Sequence, residues 1–147
     1  MDGDDDQTAE EDFDTVLRAS DGQFPEVRKT SDQTSAEVCS VIERQFACSR
    51  GRVWWLSVSK VVRRCPESET TLCQELSRLG VALDDPVLFI PDNDNGGPNP
   101  VYSGKASSFQ ELIAECRYWE YYVYAPAARC LVCNTDHNEY VSALAVQ

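Results

Sequence analysis

Between Tyr118 and Val146 the chain carries three short runs of aromatic and apolar residues, separated by stretches long enough only for turns. Tyr118-Trp119-Glu120-Tyr121-Tyr122-Val123-Tyr124 reads as an aromatic-rich strand, Pro126 marks a turn, Arg129 to Cys133 is the next strand, and Tyr140 to Val146 the last. β-Branched and aromatic side chains suit a pleated surface. Strands this close in sequence pair antiparallel, because a parallel crossover needs about a dozen residues or more. This end of the chain therefore commits the fold to a largely antiparallel sheet.

Upstream, the apolar spacing changes to a helical period. From Thr34 to Phe46 it is carried by Val38, Val41, Ile42 and Phe46, with Thr34 or Ser35 as the cap. Ser68 to Leu79 reads as a second helix, with Leu72, Leu76 and Leu79 on one stripe and Gly80 as the stop. Ser107-Ser108-Phe109-Gln110 has the form of a capping box opening a helix through Leu112, Ile113 and Cys116. Arg52 to Val62 has a strand composition, with Val53, Trp55 and Ser57 on one face and Trp54, Leu56 and Val58 on the other. Val87-Leu88-Phe89-Ile90, bounded by prolines, suits a central strand covered on both sides, and Val101-Tyr102 starts another. The loop from Asp92 to Pro100 has an Asp-x-Asp spacing, but its twelfth position is Ser103 and not the bidentate Glu of a calcium loop. The expected class is α+β, a largely antiparallel sheet with two or three helices packed on one face.

Charge is distributed unevenly. The chain holds 25 acids and 13 bases for a net −12, and eight of the acids, with no base, fall in residues 1–14. Crowded like charge has little to bury, so residues 1–32 are expected to be an acidic, mostly disordered tail, dispensable for folding. Within it Phe13, Val16 and Leu17 have the spacing of one docking turn of helix. Residues 33–147 are then one α+β domain. No apolar run approaches the roughly 18 residues of a membrane span, and the acidic start resembles neither a secretory signal nor a transit peptide. A cytoplasmic protein is the expectation.

Arg44, Arg50, Arg52, Lys60, Arg63 and Arg64 follow one another without an intervening acid, beside Trp54 and Trp55. Such interleaving can pair phosphate and stack bases. In a net-acidic chain without a nucleic-acid motif it reads instead as the solvated face of a strand, so no nucleic-acid partner is expected.

Seven cysteines without a secretory signal indicate reduced thiols. Cys130-Leu131-Val132-Cys133 followed by His137 has the outline of half a zinc site. If the intervening residues form a strand, however, the two thiols point to opposite faces. No metal or other cofactor is expected. The same neighbourhood supplies the enzyme alternative, a Cys133–His137 pair with Asp136 and Glu139 beside it. Acidic neighbours oppose the thiolate that such a nucleophile requires. No Gly-rich phosphate loop, nucleophile elbow or metalloprotease helix occurs, and the expectation is a protein without catalytic activity.

Val101-Tyr102-Ser103-Gly104, Glu115-Cys116-Arg117-Tyr118-Trp119-Glu120-Tyr121-Tyr122 and Val132-Cys133-Asn134-Thr135-Asp136-His137-Asn138 together resemble a family of small, functionally uncharacterised bacterial proteins. These carry an aromatic-Glu-Tyr-Tyr strand and a C-terminal Leu-Cys-Glu-Asn-His-His-Asp stretch. The likeness spans about residues 98–145, with Asn134 in place of the usual Glu, Asp136 in place of the first His and Asn138 in place of Asp. It implies a strand-rich fold and no mechanism.

Size and charge point to a binding module for a basic protein, by analogy an immunity or inhibitor protein that neutralises a toxin domain such as a nuclease. Asp84, Asp85, Asp92 and Asp94, flanking the Val87–Ile90 strand, are the acids expected at the contact, with Tyr118 and Trp119 as aromatic anchors.

Overall fold

The computed structural model describes residues 7–48, 54–93, 99–135 and 137–146. In chain order the elements are α1 (Ala9–Ala19), β1 (Arg28–Lys29), α2 (Asp32–Gln45), β2 (Val61–Pro66), α3 (Leu72–Arg78), β3 (Pro86–Pro91), β4 (Tyr102–Lys105), α4 (Ala106–Ile113), β5 (Tyr121–Ala125), β6 (Cys130–Asn134) and β7 (Glu139–Leu144). The strands form one sheet, ordered β1-β4-β3-β5-β6-β7-β2, in which every pair is antiparallel. The fold class is α+β.

β5 and β6 are buried along their whole length because both faces of the sheet are covered. Successive side chains point opposite ways, so Tyr121, Val123, Cys130 and Val132 enter one core and Tyr122, Tyr124, Leu131 and Cys133 the other. The first core receives Phe13 from α1, Leu72 and Leu76 from α3, and Phe109 and Leu112 from α4. The second receives Ile42 and Phe46 from α2, with Trp54. Three helices thus share one face, but they are α1, α3 and α4; α2, one of the helices expected there, covers the opposite face, because its apolar stripe of Ile42 and Phe46 meets the alternate side chains of β5 and β6. Among the described residues no helix is long and apolar enough to cross a membrane.

The acidic segment departs from expectation. From residue 9 onward it is folded and docked, while residues 1–6 lie outside the described residues. Thr8 and Glu11 form a reciprocal capping box, and Glu10, Glu11 and Asp12 occupy the first turn, where carboxylates favour the helix dipole. Phe13 is fully buried, its ring centroid 4.9 Å from Phe89 and 4.6 Å from Tyr102. Asp12, only 8% exposed, accepts hydrogen bonds from the Arg117 backbone N–H and Trp119 Nε1–H, both 2.8 Å. Lys29 of β1 pairs with Glu10 at 2.8 Å and with Asp14 at 2.7 Å. Charge density misled here because helix ends and buried donors absorb several of the acids.

The expected strand over 52–62 is also corrected. Trp54–Leu56 is a single 3₁₀ turn, and extended structure starts at Val61, after Lys60 adopts φ +53°. Trp54 is pulled inward: its Nε1–H donates to Glu43 at 3.1 Å and its backbone N–H to the Tyr122 hydroxyl at 3.1 Å. The start of α2 is capped by Ser31, three residues before the expected Thr34. The Ser107–Gln110 box does not form, since α4 begins at Ala106 with Ser107 already inside it. Gln110 serves another helix: its Oε1 accepts from the Cys73 N–H at 2.8 Å, beside the Thr71–Gln74 capping box of α3. Gly80 does end that helix region, at φ +92°, a left-handed conformation suited to glycine.

Candidate functional site

The register across the sheet aligns Tyr121 of β5 with Asn134 of β6, and Asn134 with Tyr140 of β7. Alternation turns this cross-strand row toward the face that carries α3 and α4. The row floors a cleft of about 830 Å³, walled by the segment from Glu67 to Leu72 and by the end of α4, and lipped by Arg117, Tyr118 and Trp119. Asp12 sets the lip by holding the Arg117 N–H and the Trp119 indole. The Tyr118 hydroxyl donates to the Thr135 carbonyl while the residue stays 54% exposed. Asn134 Nδ2–H donates to Glu67 Oε2 at 2.9 Å, tying the wall to the floor.

The hydroxyls of Tyr121 and Tyr140 are 2.7 Å apart, and the residues are 5% and 6% exposed. Burial is the main cause that raises both phenols, well above the ordinary value for Tyr121, so each keeps its proton. The Cys116 thiol on the cleft wall is pushed up to about 12, chiefly by burial and then by Asp12 and Glu115.

Of the expected contacts, Tyr118 and Trp119 are brought together at this lip. The acids are not gathered. Asp85 precedes β3 and closes a turn, its Oδ2 accepting from the Ala82 N–H at 2.8 Å, with exposed Asp84 beside it. Asp92 follows β3 and accepts from the Tyr122 hydroxyl at 3.1 Å. The six residues of β3 lie between Asp85 and Asp92, a span of seven steps, or about 23 Å at the usual strand rise. The two acids therefore stand at opposite ends of β3, and Asp94 lies outside the described residues.

Cys133 and His137 are likewise set apart by burial. Cys133 is fully buried in the α2-side core, whereas His137 is exposed, with its ring 5.3 Å from that of Trp55. Burial pushes the Cys133 thiol far up; Cys48 and Glu120 add to the effect and Arg64 opposes it. A thiol held protonated is a poor nucleophile. Cys130 enters the other core, as alternation required. Among the described residues no group of three or more His, Cys, Asp or Glu side chains is placed to hold a metal ion, and Asp136 lies outside those residues.

All seven cysteines are free. Burial lifts Cys39 and Cys130 to about 11 and Cys48 to about 12, against an ordinary 9.0. Folded thiols therefore hold protons that unfolded thiols release, so stability from this source is complete below pH 9 and is lost as pH rises through 11 to 12. The expected result is a thermal midpoint that falls across that window, together with slow iodoacetamide labelling of the native protein near pH 8. Rapid labelling of several thiols in the native state would contradict it.

No family model, curated protein or solved structure matches this chain. Its function rests on its own residues. Composition and motif spacing did not single out the Tyr121–Asn134–Tyr140 row, although the alternation of the last strands contains the signal once their register is known.

Proposed function

We propose that this chain is a non-catalytic, acidic binding module that engages a basic protein partner, in the manner of an immunity or inhibitor protein that neutralises a toxin domain such as a nuclease. The observation that supports this reading is the anchoring of α1. Phe13 and Asp12 clamp the helix to the body, so Glu10, Glu11 and Asp14 stand on a rigid surface with Lys29 as their counter-charge. Against Lys29 and Arg18 of the last turn, these three acids leave a fixed surplus of one negative charge, and four more aspartates, Asp2, Asp4, Asp5 and Asp6, precede the helix in sequence. Fixed charge steers encounter and needs no ordering on binding. A nuclease must present cationic surface to phosphate, and that surface is what an acidic inhibitor occupies. Burial of the Cys133 thiol weighs against the Cys133–His137 enzyme alternative.

The test is to recover the partner from native cells by crosslinking and to measure association with the purified pair across salt concentration. The association rate is expected to fall about tenfold or more between low and high salt. Glu10→Gln combined with Asp14→Asn is expected to slow association several-fold with little change in dissociation. Association indifferent to both salt and these substitutions, or the absence of any protein partner, overturns the proposal.

A further inference from the structure

We infer that the cleft floored by Tyr121 and Tyr140 is a binding site for a neutral, hydroxyl-rich small molecule of sugar-like chemistry, separate from the acidic surface of α1. The argument begins with a proton count. Two phenols carry two O–H protons, and their mutual bond uses one of them. Neither hydroxyl has another partner among the described residues, so one donor at a floor more than nine-tenths buried is left for an acceptor that enters the cleft. Burial keeps both phenols protonated, so this donor persists across the neutral range.

The walls select the ligand class. Their charged groups are one acid and one base, Glu67 and Arg117, so the cleft has no net charge to attract an anion or a cation. Glu67 is moreover already engaged by Asn134. The other polar groups are hydroxyls and carboxamides. Gln110 spends its Oε1 on Cys73 and retains its Nε2 protons, while the Ser68 hydroxyl and Asn138 carboxamide complete the polar wall. Groups that donate and accept in equal measure match a ligand whose hydroxyls do the same. Tyr118, 54% exposed at the lip, places an aromatic side chain at the mouth of the cleft, where the C–H side of such a ligand would enter. The volume, about 830 Å³, lies in the range of sites for compact ligands.

The experiment titrates the full chain with D-glucose, D-galactose, N-acetyl-D-glucosamine and maltose, followed by backbone amide NMR shifts. At least one probe is expected to bind with a Kd of roughly millimolar order, moving amides of residues 67–72 and 134–140 and showing no dependence on salt. Tyr121→Phe combined with Tyr140→Phe, which removes both hydroxyls and with them the free donor, is expected to weaken that binding about fivefold or more, with its folding checked by the same spectra. If that variant fails to fold, Gln110→Glu, which keeps the Oε1 acceptor for Cys73 and loses the Nε2 donor, is the second probe, with the same loss of about fivefold expected. No saturable shift with any sugar, shifts confined to other regions, or binding unaltered in the folded variant overturns the inference. Salt independence separates this outcome from failure of the protein-binding proposal, whose signature is salt dependence.

Discussion

Phe13→Ala is expected to lower the unfolding free energy by about 3–5 kcal/mol, the usual range for deleting a buried aromatic ring. The ring has no exposed surface and sits among Phe89, Tyr102, Phe109 and Trp119, contributed by β3, β4, α4 and the chain leading into β5. That cavity cannot collapse without moving elements that the sheet already fixes. Deleting residues 1–14 removes the same ring together with the Asp12 carboxylate, which leaves the Arg117 N–H and the Trp119 indole without their acceptor. Its loss is therefore expected to be at least as large, measured by urea unfolding with the denaturant slope compared. A loss below about 1 kcal/mol for either change would mean that α1 is not part of the cooperative fold.

Glu75→Ala is the second large effect, about 3 kcal/mol. Glu75 is fully buried, yet its carboxylate is well supplied: Arg63 Nε at 2.9 Å, an Arg78 guanidinium nitrogen at 2.7 Å and the Thr70 hydroxyl at 2.7 Å. Removing one member of a buried ionic network usually costs about 3–5 kcal/mol because the remaining charges lose their partner. Here the guanidinium side chains are 38% and 47% exposed and can regain water, which places the effect at the low end. Glu75→Gln retains an acceptor for Thr70 and is expected to lose less. Urea unfolding of the two variants decides the matter: equal and negligible losses would show that the network contributes nothing net.

The elements that short-range pattern made legible are those whose partners lie close in sequence. β5, β6 and β7 follow one another through short turns and pair antiparallel as expected, and the apolar run Val87–Ile90 correctly implied a strand covered on both faces. The opposed burial of Cys130 and Cys133 followed from alternation alone. Elsewhere local signals were read correctly as chemistry but assigned to the wrong partner. Gln110 does cap a helix, but the helix is α3, and Trp54 sits in a segment of strand-like composition yet is drawn into a 3₁₀ turn by Glu43 and Tyr122.

The sequence by itself determined the class of this protein: alternation of period two in its last strands, helical spacing upstream, and too little apolar length for a membrane helix. The spacing of Phe13, Val16 and Leu17 pointed to one docking turn, but only long-range contacts make the acidic stretch an eleven-residue docked helix, because Asp12 finds its donors at Arg117 and Trp119, more than a hundred positions away. Tertiary structure also decided that Asp85 and Asp92 stand at opposite ends of β3, and that Tyr121, Asn134 and Tyr140 form one row over a cleft. The physical reason is common to all three. A side chain's local pattern states which face it occupies, whereas strand register and long-range hydrogen bonds determine what that face meets.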